Sequence, residues 1–314
     1  MVRITVITSL YNCQLYLESF LDAVGKLTNS EEVEVLLIHN SPSPAEMAII
    51  KRRLPGLPFV KHMEVPREGL YATWNRGIAL ADSKYIAIWN VDDVRLPESL
   101  KDQADCLDEN MDAAMCYGDF IIVDEYGKIE GKVINEPDFT NNKQEFHRKH
   151  HIGCFPMWRK NIHAAIGYFD EQFRLIADLD FQIRVAAKYP LVKVDTQLGY
   201  YLEGTPNNQS SNTRLQDMEH TALHMRYGNY DLLYLPHLFE ALRQIRLSKL
   251  KWHDQYHKFD PWAFINLFHF VIRLPLFVVS LFRYPRHMAR KHLKQYIYNL
   301  TKGMTKDKLS TTDS

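Results

Sequence analysis

The chain has 314 residues, of which 46% are hydrophobic and 24% are charged, and its 38 basic side chains balance 38 acidic ones. This composition is typical of a globular protein with one sizeable core, and zero net charge argues against a general nucleic-acid binder. The charge is unevenly distributed, because residues 236–314 contain 14 Lys and Arg against 5 Asp and Glu. The sequence therefore predicts an acidic body, residues 1–235, followed by a basic tail.

The cysteines and the first residues indicate a reducing compartment. No CxxC pair and no spacing typical of a metal site links the four cysteines, which are Cys13, Cys106, Cys116 and Cys154. Such cysteines are more often buried thiols than disulfides. The opening MVRITVITSLYN runs directly into a strand-like segment without the charged and apolar regions of a secretory signal. We therefore expect a cytoplasmic location.

Strands and helices alternate up to about residue 125. Short apolar and β-branched runs predict strands at residues 3–10, 33–40, 59–65 and 85–90. Apolar residues at helical spacing predict helices at 16–27 and 70–81. A further helix begins at Pro44, inside a capping box formed by Ser43 and Glu46. Strands that alternate with helices predict a mainly parallel sheet with right-handed crossovers.

Polar pairs lie at or just past the C-terminal ends of three of these strands. They are Thr8-Ser9, His39-Asn40 and Asp92-Asp93. Because ligands bind beyond the carboxyl ends of parallel strands, we expect the three pairs to converge on one rim of the sheet. Two adjacent carboxylates repel each other and are costly to bury, so Asp92 and Asp93 need a counter-charge or open water. They are either a polar turn at the end of a strand or a site for a cation.

The rest of the chain divides into an irregular middle and a tail. Residues 126–210 are irregular apart from a helix predicted in ADLDFQIRVAAKY, and the chain reads as helical from about 212. Residues 262–282 are mostly apolar, but Arg273 and Pro275 lie mid-segment and argue against a membrane-spanning helix. A basic cluster follows, at Arg283, Arg286, Arg290, Lys291 and Lys294. Residues 236–314 are therefore either a helical subdomain packed on the body or an attachment to a membrane surface.

Four segments, in chain order, resemble the family 2 glycosyltransferases. ITVITSLYN resembles the family's first strand and the loop under the nucleotide base, and REGLYATWNRGIALADSKYIAIWNVDD resembles its helix, strand and acidic metal motif. IGYFDEQF is similar to the element before the acceptor site, and ADLDFQIRVA is similar to the segment that carries the catalytic base. The resemblance implies a GT-A fold, an α/β Rossmann-like and mainly parallel sheet flanked by helices, here with a C-terminal helical extension.

This resemblance implies a metal-dependent, inverting transfer of a sugar from a nucleoside-diphosphate sugar to a hydroxyl of a saccharide or lipid-linked acceptor. The expected setting is polysaccharide, lipopolysaccharide or other glycoconjugate synthesis, on the cytoplasmic face of a membrane. The departing diphosphate needs its charge neutralised, which Mn²⁺ or Mg²⁺ held by carboxylates achieves. By resemblance Asp93 is the direct metal ligand, and Asp92 lies nearer the ribose or the waters of the metal.

The resemblance also assigns a base and a nucleotide site. Asp178 falls where the family carries the base that takes the proton of the acceptor hydroxyl, and Asp180 is the alternative base. A purely structural role, as a carboxylate capping the helix N-terminus, also fits. The residues expected around the nucleotide sugar are Thr8, Tyr11, His39, Asn40, Asn75, Arg76 and Asp92. His39-Asn40 replaces the acidic residues usual in the family, which changes what a base edge would meet. Arg76 fits a solvated helix face equally well.

Two other functions remain open on the sequence alone. A nucleotidyltransferase usually has a Gly-rich loop with Lys or Arg after its first strand, and TSLYNCQ has neither. A protein of the same fold that binds carbohydrate or a partner without turnover fits the altered His39-Asn40 and Ala177-Asp178 positions.

Overall fold

The computed structural model describes residues 2–139, 152–204 and 213–227, and the backbone of 249–252 and 255–258. Compact units are formed by residues 1–216 and 217–314. The strands are β1 Ile4–Leu10, β2 Val33–Asn40, β3 Val60–Val65, β4 Tyr85–Ile88, β5 Val94–Arg95, β6 Met115–Val123, β7 Lys132–Ile134, β8 Met157–Arg159, β9 Leu191–Leu202, β10 Lys249–Trp252 and β11 Gln255–Lys258. The helices are α1 Gln14–Val24, α2 Pro44–Arg53, α3 Leu70–Leu80, α4 Ser99–Glu109, α5 His163–Ile166, α6 Ala177–Lys188 and α7 Thr213–Arg226.

One sheet organises the first unit. Its strand order is β3-β2-β1-β4-β8-β6-β9-β5, and β7 pairs with β6 beside this path. The pairs β3-β2, β2-β1, β1-β4 and β6-β9 are parallel, whereas β8, β5 and β7 run antiparallel to their neighbours. Because β1, β2 and β4 are parallel neighbours, Leu10 aligns with His39, and Ile7 aligns with Ile88. The segments that follow these strands therefore meet at one rim, as the sequence predicts.

The apolar pattern accounts for the packing of this parallel half. α1 buries Leu17, Phe20, Leu21 and Val24, which recur at helical spacing. α2 starts at the expected capping box, in which Ser43 Oγ accepts from the Glu46 backbone N–H and the Glu46 carboxylate accepts from the Ser43 N–H. The predicted strands 1 to 4 and helices 1 to 3 of the chain are thus all present.

The other half of the sheet bends toward the same rim. Register shifts interrupt the β6-β9 pairing between Gly118 and Ile121, where β9 carries extra residues. β5 pairs with β9 across Gly199, whose missing side chain matters because a Cβ there would lie 2.3 Å from the Val94 carbonyl oxygen. This close approach brings the segment after β4 against the end of β9.

The tail differs from the expected all-helical extension where it is described. β10 and β11 form an antiparallel pair. The sequence KLKW alternates polar and apolar residues at a period of two, which is typical of a strand. The rest of residues 228–314, with the apolar and basic segments, lies outside the described residues, and the boundary at 235 stays a prediction. No helix among the described residues has the length and apolar character needed to span a membrane.

Candidate active site

The acidic pair lies in the turn that joins β4 to β5. Asp93 is 1% exposed, and Asp92 is partly buried. The Asp93 carboxylate accepts from Asn90 Nδ2 at 3.1 Å and from the Leu202 backbone N–H at 3.4 Å. Trp89 Nε1 donates to the Asp93 carbonyl oxygen at 3.0 Å. The turn is therefore tied to the end of β9, and the Asp93 side chain has a fixed position.

Burial makes the two carboxylates hard to ionise together. It raises the pKa of Asp93 well above its usual range, and repulsion from Asp92 adds to this, against hydrogen bonds from Asn90 and Leu202 and the charge of Arg95. Burial also raises the pKa of Asp92. A pair of this kind has a strong preference for a nearby cation, because a cation stabilises both ionised forms.

Arg95 is a buried cation beside the acidic pair. The sequence did not lead us to predict a role for it. Its guanidinium donates to Gln103 Oε1 at 2.8 Å and to the Ile88 carbonyl at 3.0 Å, and it lies 5.0 Å from the centre of the Phe155 ring. Burial lowers its pKa to about 10, so it stays charged at neutral pH. Its place two residues after Asp93 in a strand is the only sequence signal for this role.

Two tyrosines border the acidic pair. The rings of Tyr16 and Tyr126 have centroids 5.4 Å apart. Burial raises the pKa of both hydroxyls, and the charge of Asp92 contributes to each shift. The Tyr126 hydroxyl is buried and has no hydrogen-bond partner within the part of the chain that the structure describes. The sequence gives no signal for Tyr126, which lies beyond β6.

Thr8 lies near the end of β1, and Tyr11 follows in the loop after it. Thr8 is buried, and its hydroxyl has no partner among the described residues. The Tyr11 ring is 42% exposed, and the Arg67 guanidinium lies over it at 3.4 Å from the ring centre. A flat cation thus lies on one face of the ring that the sequence analysis assigns to the base.

His39 and Asn40 are buried at the end of β2. Asn40 Nδ2 donates to Thr73 Oγ1 at 3.1 Å, and its Oδ1 accepts from the Glu68 backbone N–H at 3.0 Å. Asn40 therefore joins β2 to α3 and to the segment before α3. His39 is 0% exposed, and its Nδ1 lies 3.1 Å from His62 Nε2. Both side chains are engaged inside the protein.

Asn75 and Arg76 lie on α3, and their contacts differ. Asn75 Oδ1 accepts from the Phe169 N–H at 2.9 Å, and its Nδ2 donates to the Phe169 carbonyl at 2.9 Å and to Glu171 Oε1 at 2.8 Å. Arg76 forms a two-pronged ion pair with Glu68, at 3.0 and 2.7 Å. Asn75 thus fixes the GYFDEQF segment, and Arg76 lies on the surface.

Asp178 lies in the first turn of α6 and is partly buried. Its Oδ1 accepts from the Tyr71 hydroxyl at 3.1 Å and from the Leu179 N–H at 3.0 Å. Asp180 is 0% exposed and pairs with Arg184 at 2.9 Å, and Arg184 also donates to the Tyr168 carbonyl. Of the two carboxylates, Asp178 is the one with access to solvent. Tyr71, its partner from α3, is 107 residues away in sequence and was not predicted.

The described chain unites the acidic pair, the β1 loop and the end of β2 at one rim of the sheet, with Asp178 linked to it through α3. A sequence model of the glycosyl transferase family 2 matches residues 5–167, more than half of the chain. The chain belongs to glycosyl transferase family 2. The predicted membership of family 2 is thereby confirmed. The match covers nearly all of the first two resembling segments and only the first two residues of the third, and the fourth lies beyond it.

One curated sequence and two solved structures are similar to this family 2 chain. An uncharacterized glycosyltransferase of Methanocaldococcus jannaschii, MJ1057, is 25% identical over 190 residues, which cover 59% of this chain and 64% of that relative, just under two thirds of its length. S. aureus TarS 1-349 in complex with UDP-GlcNAc has a TM-score of 0.56 at 17% identity and covers 77% of this chain and 72% of its own.

The mannosyltransferase PcManGT of Pyrobaculum calidifontis, solved with GDP-Man and Mn²⁺, has a TM-score of 0.55 at 15% identity, over 94% of this chain and 85% of its own. At these identities the structures establish the GT-A fold of the chain, as predicted. The individual roles of the site residues remain predictions.

Proposed function

We propose that this family 2 chain transfers a sugar from a nucleoside-diphosphate sugar to an acceptor hydroxyl, with inversion at the anomeric carbon. The observation that carries the proposal is the acidic pair, because Asp93 is buried beside Asp92 at the rim where parallel strands end. A buried carboxylate pair is costly to keep unless it serves a cation.

The acidic pair fits a hard divalent cation, Mn²⁺ or Mg²⁺. Carboxylate oxygens are the ligands such ions prefer, and one or two carboxylates are enough when substrate phosphates complete the coordination. When bound, the ion neutralises the charge that develops on the departing diphosphate. In this proposal Asp93 binds the ion directly, and Asp92 faces the ribose or the waters of the ion. The positive charge of Arg95 offsets part of the negative charge of Asp93.

Asp178 is proposed as the base. Its hydrogen bonds from Tyr71 and Leu179 both fall on Oδ1, so among the described residues Oδ2 is the oxygen left to take the proton of the acceptor hydroxyl. The Tyr71 hydroxyl orients the carboxylate, and Asn75 holds the preceding GYFDEQF segment. Direct attack by the deprotonated hydroxyl inverts the anomeric centre without an enzyme-bound intermediate.

The nucleotide is proposed to lie along the rim formed by Thr8, Tyr11 and the end of β2. Tyr11 is exposed enough to stack on a base, which requires Arg67 to share or leave its ring. Asn75 would approach the diphosphate only if its hydrogen bonds to Phe169 break, and Arg76 only if its ion pair with Glu68 breaks. These contacts are the part of the donor site that ligand binding should change most.

We also propose the cellular setting that the sequence indicates. The acceptor is a saccharide or a lipid-linked saccharide in polysaccharide or other glycoconjugate synthesis, and the protein works in the cytoplasm, on or near a membrane surface. The basic cluster of residues 283–294 supports this, and it lies outside the described residues.

A thermal-shift screen tests the donor site. UDP, GDP, dTDP, ADP and CDP are each added with and without Mn²⁺, starting with UDP and GDP, because the two similar structures hold UDP-GlcNAc and GDP-Man. A nucleotide at 100 times its dissociation constant stabilises the protein by about 3 kcal/mol. Stabilisation by one nucleotide that requires Mn²⁺ and disappears in Asp93→Asn supports the proposal. Absence of a shift with every pair contradicts it and favours a fold that has lost its donor.

A further inference from the structure

Three buried side chains meet beneath the rim, apart from the acidic pair. They are Cys13 before α1, His39 at the end of β2 and Glu46 in the first turn of α2, with exposed fractions of 2%, 0% and 2%. The Cys13 Sγ, an imidazole nitrogen of His39 and a carboxylate oxygen of Glu46 all lie within 4.8 Å of one another. Thiolate, imidazole and carboxylate are the three ligand types that zinc takes in proteins.

The charge of this cluster is unbalanced. Burial acts to raise the pKa of Glu46, but hydrogen bonds from Ser43 and Cys13 outweigh it and lower the pKa to about 2, so the carboxylate is ionised. Burial lowers the pKa of His39, so the imidazole is neutral at physiological pH. His39 is the one ion-pair partner of Glu46 among the described residues, at 3.6 Å. A buried anion is thus left without a formal positive charge beside it.

The hydrogen bonds of His39 point the same way. Its Nδ1 lies 3.1 Å from His62 Nε2, whereas its buried Nε2 has no hydrogen-bond partner in the described part of the chain. With the proton on Nδ1 and donated to His62, the lone pair of Nε2 faces the Glu46 carboxylate, and a cation between the two removes their repulsion. With the proton on Nε2, the N–H faces the carboxylate at 3.6 Å, which is longer than a good hydrogen bond. A metal-binding histidine usually makes a hydrogen bond through its other ring nitrogen, and His62 is placed to be that partner.

We propose that Cys13, His39 and Glu46 bind a zinc-type divalent cation, through Sγ, Nε2 and a carboxylate oxygen. Zinc–ligand bonds of about 2.0 to 2.3 Å put tetrahedral ligands roughly 3.5 Å apart, so contraction of the cluster by about 1 Å suffices. This site is separate from the Asp92–Asp93 pair and prefers a different metal, because a thiolate ligand does not suit Mg²⁺ or Mn²⁺.

Binding has a defined proton balance. The Cys13 thiol donates to Glu46 Oε1 at 3.3 Å, and burial followed by the charge of Glu46 raises the pKa of the thiol. On metal binding this S–H bond breaks, the proton leaves to solvent, and the sulfur binds the metal. One thiolate and one carboxylate then neutralise the two positive charges of the ion. Metal affinity is expected to rise with pH for this reason.

The site would pin the loop that carries Tyr11. Cys13 lies two residues beyond Tyr11, and its backbone N–H already donates to Glu46 at 2.7 Å. A metal linking Cys13 to β2 and α2 would fix the end of this loop to two other elements. Its role is therefore structural support of the proposed nucleotide site, and it does not depend on which sugar is transferred.

Cobalt(II) titration of the chelator-treated full-length protein tests the proposal. A thiolate ligand gives a charge-transfer band in the near ultraviolet, which the Asp92–Asp93 pair cannot produce. We expect the band to saturate at about one equivalent and to be displaced by zinc. Cys13→Ser should abolish it, Cys106→Ser, a matched change at another free cysteine, should leave it, and His62→Ala should weaken zinc binding about 10- to 100-fold.

The full chain itself decides the outcome. A wild-type protein that gives no thiolate–cobalt band contradicts the proposal, whether or not the variants fold. A band that persists in Cys13→Ser, or disappears in Cys106→Ser, contradicts it as well. Circular dichroism of each variant separates loss of the ligand from loss of the fold.

Discussion

At the scale of single residues, Asp93 is a carboxylate whose position suits function better than stability. It is buried next to Asp92, and among the described residues Asn90, Leu202 and Arg95 compensate its charge. Functional sites often retain such costs because the ligand offsets them. The cost is measurable in the metal-free protein.

Asp93→Asn should stabilise the metal-free protein at neutral pH by about 1 to 2 kcal/mol while abolishing donor turnover. The pKa of Asp93 is raised in the folded state above the ordinary 3.8. Below pH 3.8 both states are protonated, and as pH rises the unfolded state ionises first, so the wild type loses stability until the folded-state pKa is passed. The gap between variant and wild type should therefore shrink near pH 4. Urea denaturation in chelator at pH 7 and pH 4 measures it.

A control of opposite sign is Asp105→Asn. Burial raises the pKa of Asp105, but Lys101 and Arg3 outweigh this and lower it, so removing that charge should cost up to about 1 kcal/mol at neutral pH. If Asp93→Asn is as destabilising as its control, the acidic pair is not under electrostatic strain.

Asp178→Asn should stop transfer and spare donor binding. Loss of a general base costs about 100- to 10,000-fold in turnover, whereas the nucleotide contacts lie on other elements. Turnover and nucleotide affinity, measured on the same preparation, separate the two effects. Transfer at the wild-type rate would refute the assignment.

Asp180→Asn is the matched change two residues along. It breaks a buried pair with Arg184, so it should destabilise the fold by about 3 kcal/mol, with any loss of activity following the unfolded fraction. A folded Asp180→Asn protein that binds donor but does not transfer would move the base from Asp178 to Asp180.

At the scale of elements, α3 determines how the two parts of the site are spaced. Tyr71 contacts Asp178, Thr73 contacts Asn40, and Asn75 holds Phe169. Tyr71, Thr73 and Asn75 lie within little more than one turn of the helix, so displacement of α3 moves all three contacts. Gly77 fixes the depth of the helix, because a Cβ there would lie 2.6 Å from Ile7 Cγ2 in β1.

Gly77→Ala should destabilise the protein by about 1 to 3 kcal/mol through overpacking, despite the better helix propensity of Ala. It should also lower turnover in the folded fraction, because α3 must move away from β1. Gly56→Ala is the control, since a Cβ at that position meets no atom within 4 Å. Thermal denaturation and initial rates of both variants test this. Equal stability of the two would show that β1 accommodates the methyl group.

Local patterns predict the elements of the parallel half well, and distant contacts explain what they miss. β1 to β4 are apolar runs, and Ser43 with Glu46 gives α2 its start. β9 is less regular because residues 195–196 bulge against β6, so its alternation breaks where a pattern search needs it. β10 and β11 have four residues each, which is too few for the sequence pattern to distinguish a strand from a turn of helix.

The candidate site likewise combines residues that a local sequence pattern reveals with residues that only the fold brings together. Asp92 and Asp93 are visible in the sequence because they follow a strand end. Tyr71 as the partner of Asp178, and the approach of Cys13 to His39 and Glu46, have no local signal, because each joins residues that only the fold brings together. The cysteines have no metal-site spacing along the chain, but the fold brings Cys13 close to two other potential metal ligands, His39 and Glu46.

At the scale of the whole molecule, charge is separated along the chain, with −9 on residues 1–235 and +9 on residues 236–314. A neutral average therefore hides a strongly basic segment. Electrostatic attraction to anionic lipid contributes about 1 kcal/mol per basic residue near the surface and falls with salt.

The full chain should bind anionic vesicles at low salt and release them at high salt. Replacing Arg283, Arg286 and Arg290 with Gln should weaken binding roughly 100-fold, at about 1 kcal/mol per charge. The matched control replaces Lys26, Lys51 and Lys101, exposed residues of the body, with Gln. Co-sedimentation measures both. Equal loss in the control, or equal binding to zwitterionic vesicles, would contradict attachment through the tail.

The hydrogen bond from Leu202 to Asp93 has a consequence for where the protein can be divided. The family match ends at residue 167, so a fragment cut there keeps the acidic motif but lacks both Leu202 and Asp178. Such a fragment would carry a recognisable signature without the strand that holds it or the residue proposed as the base. The smallest unit able to work is thus set by the last strand of the sheet.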